Sequence, residues 1–200
     1  MEIEKEAFSP TWVSSPFRRD INNKRACYLV ACLDPADEPL QPEPAEEVEA
    51  EQSWLSRLAG KLGFGEAVVQ PQTEEEPSIA GYVSVWYQGD EAHITEIAVR
   101  ETLRGRGIGE LLLIGSLRAA REYGSRVMTL EARVSNFIAQ RLYEKYSFKS
   151  VGIRKGYYSD NREDAVIMTT TPIGTDEYSR LFRELQDLWE CRRGPIVIVD

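Results

Sequence analysis

The residues best suited to chemistry lie in the run RGRGIG, residues 104–109, directly ahead of a long apolar helix pattern. Glycines let a backbone come close to a ligand, and arginine side chains add charge-assisted hydrogen bonds to an anion. The N-terminus of a helix contributes free N–H groups and the positive end of the helix dipole. The run therefore predicts a site for a phosphate or pyrophosphate group.

Two common phosphate loops fit this run poorly. A dinucleotide-binding Rossmann loop would use Gly107 and Gly109, with Glu131 at the end of the next strand as the ribose ligand, but its third glycine position holds Leu112. The preceding strand also ends too far ahead of the glycines. A P-loop requires Gly-Lys-Ser or Gly-Lys-Thr at the helix start, where this chain has Gly-Glu-Leu.

A third kind of loop matches at every fixed position. The acyl-CoA loop of the GCN5-related N-acetyltransferase (GNAT) superfamily has the pattern Gln/Arg-x-x-Gly-x-Gly/Ala between a strand and a helix, and RGRGIG resembles it closely. The resemblance implies that acetyl-CoA is the co-substrate and that its phosphates bind here. The cofactor-binding residues it implies in this turn are Arg104, Gly105, Arg106, Gly107, Ile108, Gly109 and Glu110.

The segment 129–168 narrows the resemblance to one subfamily. It is similar to the RimI-type ribosomal-protein-alanine N-acetyltransferases in its Leu-Glu-Ala-Arg strand end, its Ser-Asn helix start, its Leu-Tyr pair and its Tyr-Tyr…Glu-Asp-Ala segment. The resemblance covers roughly residues 1–33 and 78–172. It implies an N-alpha-acetyltransferase that acts on a protein N-terminus, with a ribosomal protein as a candidate acceptor, by direct transfer in a ternary complex.

The same resemblance implies two catalytic side chains. Glu131 corresponds to the general base that deprotonates the acceptor amine through water, and Tyr143 corresponds to the acid that protonates the departing thiolate. An exposed carboxylate at a strand end and a tyrosine packed against the sheet are the alternative interpretations of these residues.

Four further residues are implied to contact the cofactor chain. The backbone of Ile97, Ala98 and Val99 would pair with pantetheine as an added strand and stabilise the oxyanion. These residues also form a core strand, and both roles use the same backbone. Asn136 would hydrogen-bond the pantetheine arm, cap the following helix, or do both.

The resemblance also implies that two aromatic residues lie on the acceptor side of the site. Tyr157 and Tyr158 either line a peptide channel or pack across the last hairpin. His93, the single histidine, lies in a predicted strand and is interpreted as structural. Two other functions stay open: acetylation of small-molecule amines, and a non-catalytic adaptor that binds acyl-CoA.

The elements that must position these residues follow from hydrophobic periodicity. A buried strand is predicted at 26–33. Further strands are predicted in a hairpin that turns at Gly-Asp within 79–99, at 127–132, and as a last pair around SDNRE. Helices are predicted at 107–123, after Ser135 or Asn136, and in DEYSRLFRELQDLW. This order predicts an α+β fold with a mixed sheet. The resemblance implies the GNAT fold, with a splayed strand pair at the acyl-CoA site.

Residues 34–77 are predicted to be an acidic, flexible insertion. They are rich in proline and glutamate, and a short amphipathic helix is predicted within 52–64. That helix either docks on its own domain or holds a helper partner in a groove. Membrane docking is disfavoured by the acidic flanks.

Composition sets bounds on location and partners. Twelve acidic and two basic residues lie in 34–77, so the net charge of −9 belongs to that segment and not to the rest of the chain. Three cysteines without a CxxC pair and one histidine disfavour a metal site. The chain has no signal-like start and no apolar run near the roughly 18–20 residues that span a bilayer. We expect a cytoplasmic protein without metal, membrane or direct nucleic-acid binding.

Both ends of the chain depart from the GNAT pattern. The superfamily fold begins with a strand, whereas this sequence begins within the first-helix region, at MEIEKEAF. At the other end, residues 173–200 are predicted to add a helix and a short apolar strand, PIVIV at 195–199. An open sheet edge exposes unpaired backbone groups, and our hypothesis is that residues 195–199 fill such an edge.

Overall fold

The residues described by the computed structural model are Ile3, 23–33 and 78–199. The chain divides into two compact units, Leu33–Ser78 and the remainder, and the remainder carries the elements given below. The predictions for the insertion 34–77, with its helix at 52–64, and for the first-helix region lie outside the described residues. No helix in the described part of the chain has the length and hydrophobicity to cross a membrane.

Three strands open the described chain, and helices then separate most of the later strands. The strands are β1 (Ala26–Leu33), β2 (Ser78–Gln88), β3 (Glu91–Val99), β4 (Val127–Arg133), β5 (Phe148–Arg154) and β6 (Ala165–Thr170). The helices are α1 (Ile108–Tyr123), α2 (Phe137–Lys145) and α3 (Asp176–Arg193), with a 3-10 turn at Glu101–Leu103. The predicted α+β arrangement is confirmed.

The strands form one mixed sheet in the order β1-β2-β3-β4-β6-β5. β3 and β4 are parallel neighbours, but their register covers only Glu91–Ile94 opposite Val127–Leu130. Beyond that point β3 continues alongside β2, and β4 continues alongside β6. The two strands therefore part and leave a fork in the centre of the sheet, as the predicted splayed pair requires.

α1 covers the sheet next to this fork. Its apolar stripe includes Leu112, Leu113 and Leu117, all at most 3% exposed, and burial of each such side chain contributes about 1.5–3 kcal/mol. Ser116, within the same stripe, bonds back to the Leu113 carbonyl at 2.8 Å, so its hydroxyl is satisfied in the core. The helix ends at Gly124, whose φ of 87° is the left-handed conformation typical of a helix C-terminus.

β1 is less buried than its apolar sequence predicts. Among its residues only Ala31 is buried, and Val30 is 54% exposed. The reason is its place at the edge of the described sheet, where it pairs with β2. An edge strand with one covered face alternates between inward and outward side chains.

The C-terminal helix is present, but the strand predicted after it is not. Thr175 caps α3 by accepting the N–H of Tyr178 at 3.2 Å. Residues 195–199 form no strand, so the hypothesis that they fill a sheet edge is wrong. Pro195 has no N–H for a strand ladder, and the N–H of Ile196 bonds to Glu190 Oε1 at 3.3 Å instead of to a strand.

Candidate active site

The run 104–109 forms the turn between the 3-10 helix and α1. Gly105 and Gly107 have φ angles of 78° and 85°, a backbone region that favours glycine. Gly107 is the N-cap of α1, and no side chain caps the helix there. The N–H groups of the first turn are therefore left for another acceptor. A phosphate group is chemically suited to this helix start.

Charges around the turn also favour an anion. Arg104 and Arg106 are exposed, and the ion pair of Arg104 with Glu101 spans 3.8 Å between exposed side chains, which makes it weak. Glu110 is the acidic residue of the first turn, but its Oε1 accepts hydrogen bonds from Lys145 Nζ at 2.5 Å and from the Tyr146 hydroxyl at 2.8 Å. Glu110 therefore offers a ligand its backbone N–H, and its carboxylate is turned to other partners.

The strand segment predicted to bind the cofactor lies directly beside this turn. A Cβ placed on Gly109 would meet Val99 Cγ2 at 3.8 Å. Residues 97–99 pair with β2 on one side, and within the described sheet their register with β4 has already ended. The inner edge of β3 is thus open to a ligand that adds as a further strand.

Glu131 is the first residue of β4 beyond the point where pairing with β3 ends. Its side chain is 7% exposed, so it is not the exposed strand-end carboxylate of the alternative interpretation. Oε2 lies 2.7 Å from His93 Nε2 on β3, and Oε1 lies 3.1 Å from Arg154 Nη2 on β5. The carboxylate at the fork is therefore buried between two basic side chains, which offset the cost of its desolvation.

Tyr143 lies on α2 with 6% of its surface exposed, and its ring lies 5.7 Å from that of Phe148. Burial, with a smaller effect from Tyr158, raises the pKa of the Tyr143 hydroxyl to about 12. The hydroxyl therefore carries its proton throughout the physiological pH range. The packed position fits the structural interpretation of this residue and is also compatible with a proton donor.

Tyr157 and Tyr158 lie near both predicted catalytic residues. Their rings meet edge to face at 5.2 Å. Burial raises the pKa of Tyr158 to about 12, and the charge of Glu131 adds to this shift. Burial also raises the pKa of Tyr157, again with a contribution from Glu131. Since Tyr158 in turn influences Tyr143, the tyrosine pair and both predicted catalytic residues belong to one neighbourhood.

Arg133, at the end of β4, holds the connection between β5 and β6 in place. It bonds to Asp160 Oδ2 at 2.8 Å and Glu163 Oε2 at 3.1 Å, and its guanidinium lies 3.9 Å from the Tyr158 ring centre. Hydrogen bonds from Ser135, with further bonds from Arg133, lower the pKa of Glu163 to about 2. The Glu-Asp-Ala segment singled out in the sequence therefore fixes the tyrosine pair.

Asn136 caps α2, as one of its two interpretations predicted. Its Oδ1 accepts the N–H of Ala139 at 3.1 Å. Capping uses the carbonyl oxygen, and an asparagine side chain keeps an NH2 donor in addition. A contact of that donor with the pantetheine arm remains a prediction.

Two residues of this neighbourhood escaped the sequence reasoning. The sequence indicates a structural role for His93 and gives no signal at Arg154, yet both side chains contact Glu131. Periodicity predicts that His93 lies in a strand, but no sequence signal sets the register of that strand against Glu131. No group of three or more His, Cys, Asp or Glu side chains suited to a metal ion occurs in the described part of the chain.

A forked mixed sheet, an uncapped glycine turn at the start of the helix beside the fork, and a carboxylate at its centre define an acyltransferase of the GNAT class. The model of the acetyltransferase (GNAT) family matches residues 31–148, and the chain belongs to this family. Members of the family use acetyl-CoA as the acetyl donor.

Individual relatives indicate a subgroup. A Bacillus subtilis (strain 168) protein, provisionally named a ribosomal protein bS18-alanine N-acetyltransferase, is 44% identical over 98 residues, 49% of this chain and 65% of its own length. An N-alpha-acetyltransferase of Saccharolobus solfataricus is 46% identical over 77 residues, 38% of this chain and 46% of its own. The chain thus spans less than two thirds of either relative.

A solved structure supports the same fold over more of the chain. The crystal structure of the ribosomal-protein-S18-alanine N-acetyltransferase from Escherichia coli superposes with a TM-score of 0.57 and 26% sequence identity. The superposition covers 87% of this chain and 85% of the other. The GNAT fold and the similarity to RimI-type enzymes implied by the sequence motifs are thus confirmed.

Proposed function

We propose that this chain is an acetyl-CoA-dependent N-alpha-acetyltransferase that acetylates the N-terminal amine of a protein by direct transfer in a ternary complex. The observation that carries the proposal is the position of Glu131, which is buried at the fork, beside the open edge of β3 and near the tyrosine pair. The first acceptor to test is an N-terminal alanine of a ribosomal protein, because relatives named for that reaction match the chain.

The residues around α1 fit the co-substrate. The uncapped N–H groups at Gly107 and beyond, with exposed Arg104 and Arg106, suit the phosphates of CoA. The open edge of Ile97–Val99 suits the amide-bearing pantetheine arm. When bound, acetyl-CoA supplies an activated acetyl group as a thioester.

Glu131 is the proposed general base. The acceptor arrives largely as an ammonium ion, which must lose a proton before its nitrogen can attack the thioester carbon. His93 and Arg154 each occupy one lone-pair position of the carboxylate, which has about four. Positions therefore remain for a water molecule that relays the proton from the amine to Glu131.

Backbone and tyrosine groups are proposed to complete the transfer. As the N–C bond forms and the C–S bond breaks, negative charge develops on the carbonyl oxygen and then on the sulfur. N–H groups on the inner edge of Ile97–Val99 stabilise the oxyanion. Tyr143 gives its proton to the thiolate, and its raised pKa ensures that the proton is present before transfer. The nitrogen loses its second proton as the amide forms, and this proton restores the Tyr143 hydroxyl through solvent.

The tyrosine pair is proposed to line the acceptor channel. Tyr157 is 45% exposed and lies beside the basic and carboxylate groups of the fork. The guanidinium group of Arg133 lies over the Tyr158 ring and holds the ring in position. A rigid aromatic wall of this kind orients a peptide N-terminus without needing a specific side chain.

An acceptor panel tests the proposal. Purified protein is incubated with acetyl-CoA and peptides that begin with Ala, Ser, Met or Gly, or with small amines, and free thiol is followed. We expect turnover on peptides, with alanine among the best. Glu131→Gln and Tyr143→Phe should each lower kcat about 10²–10⁴-fold, and Glu144→Gln, an exposed site on α2, serves as the matched control.

Three results would count against parts of this proposal. CoA binding without turnover on any acceptor would contradict an enzymatic role. Turnover on small amines alone would contradict a protein acceptor. Unchanged rates in the Glu131 or Tyr143 variants would remove the role given to that residue.

A further inference from the structure

The last turn of α3 lies against the glycine turn at the start of α1. Trp189, only 9% exposed, donates its Nε1–H to the carbonyl of Gly107 at 3.3 Å. Arg193, one helical turn further on, donates from Nη1 to the carbonyl of Arg106. Two side chains of one helix therefore bind two consecutive carbonyls of the predicted phosphate turn. This helix lies beyond residues 31–148, where the family model matches.

The Arg193 side chain lies directly against the backbone of Gly107. A Cβ added at Gly107 would collide with the Arg193 side chain, whose Cδ would lie 2.8 Å away. Gly107 also has a φ of 85°, a backbone conformation that residues other than glycine rarely adopt. The backbone conformation therefore favours glycine here, and Arg193 could keep its present position only if residue 107 has no Cβ.

Holding these carbonyls sets the direction of the neighbouring N–H groups. In a trans peptide the C=O and the following N–H point in opposite directions. Bonds to the carbonyls of Arg106 and Gly107 therefore turn the N–H groups of Gly107 and Ile108 away from α3. Both N–H groups precede the first helical donor, Leu111, which bonds to Gly107 at 3.0 Å.

Arg193 contributes a positive charge to the turn in addition to its hydrogen bond. No ion pair among the described residues involves Arg193, so its positive charge is not neutralised by a carboxylate there. A charged donor on a carbonyl polarises the peptide group and strengthens its N–H as a donor to an anion. The guanidinium also contributes a third positive charge near Arg104 and Arg106.

We propose that Trp189 and Arg193 are positioning residues of the acyl-CoA site, which set the phosphate-binding conformation of the turn 104–109 from the C-terminal helix. This inference rests on the proposed function, because it takes the turn to bind the phosphates of CoA. It predicts that cofactor affinity depends on α3, although α3 supplies none of the proposed catalytic groups.

Direct binding measurements with CoA test the proposal. Calorimetry on the full chain compares wild type with Arg193→Gln, Trp189→Phe and Arg192→Gln. Arg192 is the matched control, because it is an exposed arginine next to Arg193 and its removal changes the net charge equally. We expect Arg193→Gln and Trp189→Phe to weaken CoA binding about five- to tenfold, and Arg192→Gln less than twofold. Thermal melts without ligand verify that each variant is folded.

Kinetics separate positioning from a general loss of structure. With acetyl-CoA, Arg193→Gln should raise the KM for the donor and leave kcat and the acceptor KM unchanged, and Arg193→Lys should restore part of the affinity. With S-acetyl-pantetheine, which lacks the nucleotide and its phosphates, wild type and Arg193→Gln should have equal kcat/KM. An equal loss with both donors would overturn the proposal.

The binding experiment distinguishes a wrong inference about α3 from a wrong proposed function. If wild type binds CoA and Arg193→Gln and Trp189→Phe bind it equally well, the inference about α3 is wrong and the proposed function stands. If wild type does not bind CoA at all, both are wrong.

Discussion

The environment of Glu131 determines what this carboxylate can do. It is buried, and each of its oxygens has a basic partner, His93 on one strand and Arg154 on another. Arg154 is half exposed and also lies 5.5 Å over the Tyr157 ring, so solvent and the ring compete for it. His93 is more enclosed and holds the shorter bond. The histidine is therefore the firmer positioning partner of the proposed base.

Replacement of His93 by alanine should lower kcat about tenfold, the equivalent of one lost hydrogen bond of roughly 1.4 kcal/mol. The physical reason is that Glu131 would lose the donor that holds its Oε2 and would sample other rotamers. Steady-state kinetics and CoA binding measure the change, and the Kd for CoA should not move, because His93 lies away from the phosphate turn.

The conservative variant His93→Gln provides the control for this prediction. Its side-chain amide can still donate an N–H to the carboxylate, so part of the rate should return. A full wild-type rate in His93→Ala would show that Glu131 is held by Arg154 alone or does not act as the base.

At the residue scale, the sequence motifs predicted the site residues themselves but not the residues that contact them in space. Glu131, Tyr143 and the glycine turn stand in local patterns whose spacing can be read directly. The contacts of Glu131 with His93 and Arg154 join three separate strands. Such contacts depend on sheet order and register, which are set by tertiary packing and leave no local signal.

At the scale of elements, the connection between β5 and β6 is held by polar contacts. Arg133 bonds to Asp160 and Glu163, and the Asp164 carboxylate accepts the N–H of Gly156 at 2.8 Å. The N–H of Ser135 bonds to Glu163 Oε1 at 2.9 Å and ties the connection to the start of α2. The position of the tyrosine pair therefore depends on ionised carboxylates.

Acidification should loosen this connection through Glu163. Its pKa is lowered from an ordinary 4.5 to about 2, chiefly by hydrogen bonds from Ser135. A lowered pKa means that the stabilisation is fully present above about pH 4.5 and is lost as pH falls towards 2. We expect the Tm difference between wild type and Glu163→Gln to be largest near neutral pH and to vanish near pH 2.

Thermal melts of both proteins across this pH range measure the effect. Glu144→Gln, which removes an exposed carboxylate from α2, is the control for loss of one negative charge. At neutral pH, Glu163→Gln should also raise the KM for the acceptor peptide. A Tm difference that stays constant down to pH 2.5 would contradict the role given to Glu163.

Most elements could be predicted from the sequence, because their periodicities are strong. α1 and α3 carry regular apolar stripes, and the strands around Gly89–Asp90 show a clear hairpin turn. Two predictions went wrong where tertiary context decides. The exposure of β1 reflects its position at the edge of the described sheet, and the apolar segment 195–199 begins with a proline and pairs with no strand.

At the scale of the whole molecule, α3 belongs to the core that carries the site. Its buried residues include Tyr178 and Phe182. The Tyr178 hydroxyl donates to the Tyr146 carbonyl at 3.1 Å, and Arg121 of α1 bonds to Ser179 at 2.6 Å. The same helix therefore packs on the end of α2, on α1, and on the phosphate turn.

Truncation of Phe182 tests whether this core is cooperative. The side chain is 1% exposed, its ring stacks 6.3 Å from Tyr178, and it meets Tyr146 edge-on at 6.5 Å. Phe182→Ala should cost about 3–5 kcal/mol of unfolding free energy, or roughly 10 °C in Tm for a chain of this size. Leu188→Ala, on the same helix but 49% exposed, is the control and should cost under about 1 kcal/mol.

Denaturation by urea, followed by circular dichroism, should give one transition at a lower midpoint for Phe182→Ala. If α3 instead melted in an early separate step, and the rest of the chain kept its wild-type midpoint, the helix would be an independent appendage and not part of the core that positions the phosphate turn.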